Sequence, residues 1–291
     1  MGAVSYVTEL GNVITPTDVV SGSLGPALVK KVTMMNLMHL EDLPPNTNVK
    51  KLRKDAALTA VSGATTESTA VALASGGELT QTSVTATAAK MAISSALSVE
   101  EQQWGTVTAA GMAEKQADAI ARGVDNEALG LAAGFSNSVT ASAGATLEDI
   151  YLCQYTIFAG EVPDKEIPLA VVITHKANYN LKIQSMQTGA SAFVNQQFLG
   201  ILNSTPQANN FAGAIPGFNF YATSGFGTSG GDTVQLVIHP KYALFGMFAP
   251  RPVTWFVNKG TEGLYSETVT YFFYDVGEYY DAAGVGYLSD T

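Results

Sequence analysis

The sequence predicts an α+β fold, and three features point there. One long segment, 98–134, carries helical punctuation and a helical apolar stripe. From Pro252 onward the chain reads as successive strands. Between them helices and strands mix without regular β-α-β alternation, which argues against a doubly wound sheet. With 291 residues the chain is long enough for one large or two modest domains around a substantial core.

Residues 1–40 scatter Gly2, Gly11, Pro16, Gly22, Gly25 and Pro26 among short apolar groups. That is the composition of an extended arm with one short helix near Leu24 to Val32, and it buries little by itself. Residues 41–92 open with Pro44-Pro45 and the basic cluster Lys50, Lys51, Arg53 and Lys54, after which only Glu67 and Glu78 are charged between Asp55 and Lys90. Val84, Ala86 and Ala88 alternate with Thr85 and Thr87 in a strand period. Two long strands with a turn around Ser75 to Glu78 are expected, and because a lone two-stranded ribbon is marginal in water, the pair should lie on something.

Ser98 followed by Glu101 is a capping-box pattern and predicts a helix start. Val107, Ala110, Ala113, Ala117, Ile120, Val124, Ala128 and Leu131 then recur at spacings of three and four, which puts them on one helix face. A stripe made mostly of alanine lets a partner element come close. A continuous helix over 98–134 would span roughly 50 Å. Gly105, Gly111 and Gly123 mark positions where it is expected to bend.

After a small-residue loop from Asn137 to Gly144, Thr146 is expected to cap a helix ended by Gly160 and Pro163. Leu147, Ile150, Tyr151, Gln154, Tyr155 and Phe158 should form its inward face. Pro168 to Thr174 is apolar without alternation, as in a strand covered on both faces. Ser191 opens a further predicted helix with Val194, Phe198 and Ile201 on one side. Strands are expected at Gly217 to Thr223 and Thr233 to His239, then a short helix at Pro240 to Phe248. The closing strands are VTWFVN, LYSETVTYFFYDVGEYY and AAGVGYLS.

Composition excludes several function classes. Lys and Arg number 15 against 25 Asp and Glu, a net charge of -10, so a broad basic face for gripping phosphates is disfavoured, and with it sequence-specific nucleic-acid binding. Only 14% of residues are charged, where soluble domains average about 25%. Either the surface is largely neutral and polar, or partners cover it. The single cysteine, Cys153, permits no intrachain disulfide and reads as core filler in a helix. No signal peptide is visible after Met1. The uncharged stretch from Ile183 to Gly231 is too rich in Asn, Gln, Ser, Gly and Pro to span a membrane.

Catalytic and ligand motifs fail on context. Gly225, Gly227 and Gly230 spell G-x-G-x-x-G, and Gly227, Ser229 and Gly231 spell G-x-S-x-G, but both motifs need a helix next. Here Asp232 and the strand-like TVQLVIH follow, so a hairpin connection explains the glycines better. Ser229, Asp232 and His239 hold the letters of a hydrolase triad, yet the His lies too close in sequence to the Ser for a helical crossover. His39, His175 and His239 sit near no Cys or paired-carboxylate motif, which makes a structural zinc site improbable. Asp275, Glu278 and Asp281 could meet a cation, although a solvated strand edge is the commoner meaning. Asn203-Ser204-Thr205 matches a glycosylation sequon without a secretion signal to give it meaning. No catalytic, cofactor-binding or metal residue is assigned, no cofactor is expected, and an enzyme is the poor hypothesis.

The order of segments resembles the major capsid proteins of tailed bacteriophages, the HK-ninety-seven-like fold, over essentially the whole chain. TSVTATAAKMAISSALSVEEQQW is similar to the return strand of an extended loop feeding a spine helix. IARGVDNEALGLAAG resembles the motif at the end of that helix. TLEDIYLCQYTI with PLAVVITHKANYNL, and GAIPGFNFYATS, fit an axial domain. The resemblance implies an N-terminal arm at 1–40, an extended loop at 41–92, a peripheral domain at 93–142 with 250–291, and an axial domain at 143–249.

It also implies a structural protein, made in the host cytoplasm and located in the virion capsid. There it would self-assemble into hexamers and pentamers of an icosahedral shell enclosing double-stranded DNA, with possible scaffolding, portal and decoration partners. Two alternatives stand beside it: an encapsulin-like compartment shell, and a β-rich phage tail or adhesin protein that would lack the spine helix. Some family members cross-link a loop lysine to a neighbour's asparagine, but no lysine lies between Lys54 and Lys90, and Asn258 near Glu262 is an acceptor only by loose analogy. No covalent cross-linking is expected; a ladder of bands from intact particles on a denaturing gel would contradict this. If Met1 is the natural start, a separate scaffold or none, and no proteolytic trimming, are also expected.

Overall fold

The computed structural model describes residues 33–45, 47–54, 82–98, 109–141, 144–160, 162, 168–187, 211–215, 217–226, 228–229, 232–249, 253–258 and 265–290. The predicted helices at Leu24 to Val32 and from Ser191, and the turn at Ser75 to Glu78, lie outside them. Mixed helix and strand are observed, so the α+β assignment holds. Two sheets, a two-stranded ribbon base and three α-helices make up the described chain.

The chain enters through a 3-10 turn, Met34–Leu37, whose Met34 and Leu37 are buried. Strand β1 (His39–Asp42) follows, then β2 (Val49–Lys54) and β3 (Thr82–Thr87), which pair antiparallel as the base of the expected ribbon. The ribbon base does lie on something. Leu52, Ala86 and Ala88 pack with Phe245, Met247 and Tyr279 in a small separate core. Strand β4 (Ala89–Ser98) runs on from the ribbon, and Ser98 pairs with Tyr265 as its last residue.

Helix α1 is described over Ala109–Gly130, about 33 Å of rise at 1.5 Å per residue. Ser98 therefore closes a strand, and Glu101 falls outside the described residues. Ala117, Ile120, Val124 and Ala128 are all fully buried, as the stripe predicts. Each larger apolar side chain on that face contributes about 1.5–3 kcal/mol by leaving water. Gly123 proves to be a packing position: a β-carbon there would lie 2.5 Å from Met91 Cε on β4. Its absence lets the helix settle against the strand.

The five-stranded sheet runs β1, β11 (Leu244–Phe248), β13 (Tyr265–Glu278), β12 (Val253–Asn258), with β4 on the other edge of β13. Strand β13 is its rail. Thr268, Thr270, Phe272, Tyr274 and Val276 alternate inward and are buried, the period of a strand with one covered face. Phe248, Phe272 and Tyr274 stack in series, with centroids 6.0 and 5.8 Å apart. Buried Gln116 of α1 ties helix to strand: its amide donates to Ser95 Oγ at 2.6 Å and its carbonyl accepts from Thr270 Oγ1 at 2.6 Å.

The seven-stranded sheet runs β5 (Ser138–Thr140), β14 (Gly284–Asp290), β10 (Asp232–Ile238), β6 (Leu169–Thr174), β8 (Phe218–Thr223), β7 (Phe211–Ile215), with β9 (Thr228–Ser229) also paired to β10. Leu169 to Ile173 are all buried, as a strand covered on both faces requires. Helices α2 (Leu147–Ala159) and α3 (His175–Gln187) pack on this sheet. Thr146 caps α2 as predicted, its hydroxyl oxygen accepting from Asp149 N at 3.2 Å. Tyr287, fully buried, accepts the Thr146 N–H at 3.1 Å on its hydroxyl. At Gly286 a β-carbon would stand 2.6 Å from the Ala132 carbonyl oxygen, because the 3-10 turn Leu131–Ala133 after α1 rests directly on β14.

Three expectations need correction. The predicted helix at Pro240 to Phe248 is a turn followed by β11; Lys241 takes a positive φ of 75°, which a helix does not tolerate, and all of Leu244–Phe248 is buried between layers. A five-residue apolar run has no period to separate strand from helix. The inward face of α2 centres on buried Ile150, Cys153 and Ile157, with Leu147 and Phe158 packed partly buried against the core as expected, while Tyr151 and Tyr155 point out, 39% and 72% exposed. Helix α3 follows a strand that was foreseen without it. In addition, β11 joins the five-stranded sheet and β14 the seven-stranded one, so the two sheets exchange strands across the boundaries at 249 and 250.

Besides the passage through α1 from β4 to β5, the chain crosses directly between the sheets at 239–243 and 279–283. The crossings are hydrogen-bonded to each other: His239 N–H to Ala283 O at 2.8 Å, Tyr279 N–H to Ala243 O at 2.8 Å and Tyr280 N–H to Tyr242 O at 2.9 Å. One continuous core runs beneath both sheets and α1.

Candidate functional site

The described residues that stand out anchor one element to another or present an exposed apolar surface. At the ribbon base, Lys50 Nζ meets Glu41 Oε2 at 2.5 Å, and His39 lies at 3.1 Å from the other Glu41 oxygen. The Lys50 hydrogen bond holds the Glu41 carboxyl below its ordinary value, with partial burial opposing and His39 assisting. His39 also stacks on Tyr279 at 5.2 Å, and Tyr279 donates its hydroxyl to Arg53 O at 2.5 Å. Lys54 sits 5.6 Å from the Tyr280 ring centroid and Lys90 4.4 Å from that of Tyr271. The basic cluster of the sequence is thus part of the root of the ribbon. Lys51 and Arg53 are its exposed members.

A second anchor holds the segment that begins at Thr33 and Met34. Asp125, on α1, accepts the backbone N–H of Thr33 at 3.1 Å and of Met34 at 3.0 Å. Burial pushes its carboxyl above the ordinary Asp value, against the two N–H groups, which favour the anion. A carboxyl whose folded pKa is raised binds its proton more tightly folded than unfolded, so its contribution to stability rises as pH falls from neutrality toward the unfolded value. Asp125→Asn removes that titration. The unfolding temperature of the native chain relative to this variant is expected to rise as pH falls from neutrality toward the unfolded Asp value of about 4, measured by scanning calorimetry; a pH-independent difference would contradict the assignment.

The polar residues weighed as chemistry take separate places. Asp275 accepts the Thr87 N–H at 2.6 Å and Asp281 the Ser136 N–H at 2.7 Å. Glu278 between them is raised by burial and by Asp281, with Lys54 opposing. Among the described residues no group of His, Cys, Asp and Glu is arranged to hold a metal ion. Asp232 opens β10 and His239 follows its far end, about 23 Å apart at 3.3 Å per residue. Asp232 pairs antiparallel with Ser229, and the glycine loop expected to join them lies outside the described residues. His175 opens α3. Cys153 is buried in the core, its thiol pushed up to about 12 by desolvation first and by Asp149 second, which makes it a packing residue and an inert one. Gly227, Gly230, Gly231, Glu262 and the Asn203 sequon lie outside the described residues; Asn258 ends β12.

What the sequence reading missed is an outward surface on the two helices of the seven-stranded sheet. Tyr155 (72%), Tyr179 (63%) and Leu152 (50%) are the most exposed large apolar side chains described. The signal was present in α2, which carries large apolar residues on more than one face.

No family model matches the chain, and no curated protein matches it in sequence. Its backbone nevertheless matches solved structures over most of its length. The capsid of Ralstonia phage GP4 superposes with a TM-score of 0.67 at 9% identity, covering 90% of this chain and 92% of that one. The head structure of Helicobacter pylori bacteriophage KHP40 gives 0.64 at 11% identity, covering 89% and 90%. The SrpI encapsulin of Synechococcus elongatus gives 0.60 at 10% identity, covering 100% and 92%. The chain has the HK-ninety-seven-like capsid fold. Among the described residues no helix is long and apolar enough to cross a membrane.

Proposed function

We propose that this protein is the major capsid protein of a tailed bacteriophage, assembling as hexamers and pentamers into an icosahedral shell around double-stranded DNA. The observation that carries the reading is end-to-end correspondence with chains of phage capsids, about nine-tenths of both partners in each case. The residues support it. A ribbon with two charges between Asp55 and Lys90 can lie on a neighbouring subunit without desolvating ions, which is costly unless they are paired. The net charge of -10 suits a container that encloses DNA without gripping it.

In this reading 1–40 is the arm, 41–92 the extended loop, 93–142 with 250–291 the peripheral domain and 143–249 the axial domain. The strand exchange adds a refinement, with β14 serving the axial sheet and β11 the peripheral one. The encapsulin match favours a second reading, a compartment shell enclosing a protein cargo. A tail or adhesin protein would lack α1. Expression of the chain with its genomic neighbours, electron microscopy of the particles and a nuclease-protection assay test the proposal. Closed shells holding protected DNA are expected; shells holding only protein support the compartment, and tubes or fibres overturn both.

A further inference from the structure

We infer that the outward faces of α2 and α3 are two halves of one subunit contact, α2 of one copy seating on α3 of the next. Three observations carry this. The most exposed large apolar side chains of the described chain gather here: Leu152 and Tyr155 on α2, and Tyr179 on α3. Tyr151 extends the α2 face, half-anchored by an edge-on contact with Phe218 at 5.2 Å, so the surface is presented by rigid helices over a sheet and not by a loop. Tyrosine pays little rotamer entropy for a large contact area and brings a hydroxyl to the rim, and such residues dominate interface energetics.

The charges choose the partner. Helix α2 contains acidic residues and no Lys, Arg or His; helix α3 contains Lys and His and no Asp or Glu. Glu148 and Lys176 are the exposed charges at the ends of the two faces. Two α2 faces would bring like charges together, as would two α3 faces. An α2 face against an α3 face brings Glu148 to Lys176 across a rim while the tyrosines and Leu152 close the centre, which is the anatomy of a specific contact. In the shell reading the contact is heterologous, head to tail, and heterologous contacts between identical chains close into rings when their rotation closes. The occupant is therefore a second copy of this chain. The inference rests on the shell reading and names residues that would serve it.

The test uses the full chain and follows particle formation by light scattering and sedimentation over a concentration series, with circular dichroism confirming the fold of every variant. Tyr155→Ser is expected to raise the concentration needed for assembly on the order of tenfold or more. Glu148→Lys and Lys176→Glu are each expected to raise it about three- to fivefold, with the double reversal restoring the native value. In native particles, Tyr155 and Tyr179 should resist iodination that modifies them in the unassembled chain. Wild-type assembly by Tyr155→Ser with free iodination overturns the inference and leaves the shell reading standing. Equal weakening by the double reversal overturns the α2-to-α3 pairing. A native chain that forms no particles even when expressed with its genomic neighbours overturns both.

Discussion

Gly286→Val is expected to destabilise the chain by on the order of 3 kcal/mol, the upper end for overpacking a core. The reason lies in what a β-carbon would strike. Its nearest neighbour would be the Ala132 carbonyl oxygen at 2.6 Å, and backbone held by a helix end cannot step aside as a side-chain tip can. Gly286 is paired on both edges, with Leu236 of β10 and Ser138 of β5, and its N–H donates to Asn137 O at 3.0 Å. The strand has no freedom to retreat either. Gly130, at the end of α1, supplies the control, since a β-carbon there meets nothing within 4 Å. Gly130→Ala should be neutral or stabilise by up to about 1 kcal/mol through helix propensity. Chemical denaturation of the two variants in parallel decides the matter, and similar losses at both positions would show that the approach of Ala132 to β14 is not what requires glycine.

Tyr287→Ala is expected to cost about 3–5 kcal/mol, the range for emptying a large aromatic site. For a chain of this size that lowers the thermal midpoint by about 10 °C. Tyr287 is fully buried in β14, and its hydroxyl takes the Thr146 N–H at the start of α2 while reaching Asp149 Oδ2 at 3.4 Å. Burial is the leading cause that raises its phenol pKa, so it stays a neutral donor and acceptor. Tyr287→Phe keeps the ring and should cost about 1–2 kcal/mol, the loss of the link between strand and helix cap. If Phe proves as damaging as Ala, the hydroxyl and not the ring volume dominates.

Features written in a repeated period or in local chemistry were legible in this chain, and those that depend on long-range pairing were not. The alanine-rich stripe of α1 located its buried face because one period repeated over six turns. The Thr146 cap was readable from local chemistry, and β6 from a run too apolar for any exposed side. In α2 two apolar stripes with the same spacing compete, and only the sheet beneath decides that aliphatic Ile150 and Ile157 go in while Tyr151 and Tyr155 go out. Helix α3, with the weak pattern HKANYNLKIQSMQ, buries Ala177 and Leu181, a signal too sparse to see. The destination of β14 depends on pairing with β10 in antiparallel register, a long-range choice that no local window contains. The same distinction governs the candidate surfaces. The scarcity of charge between Asp55 and Lys90 could be seen in the letters, whereas the outward tyrosines of α2 and α3 required knowing which face the sheet had taken. Asp125 reads as an ordinary helix acid until Thr33 and Met34 are folded back onto it.

The paired crossings between the sheets carry a mechanical consequence. A single strand would act as a swivel and let either sheet rotate about it at little cost. Two strands laced by the hydrogen bonds of His239, Tyr279 and Tyr280 behave as a two-ply strap: twisting it shears those bonds, while folding it across its width leaves them intact. Torque applied to one sheet is therefore passed to the other through this strap as well as through α1, which Gln116 ties to β4 and β13 and whose following turn rests on β14.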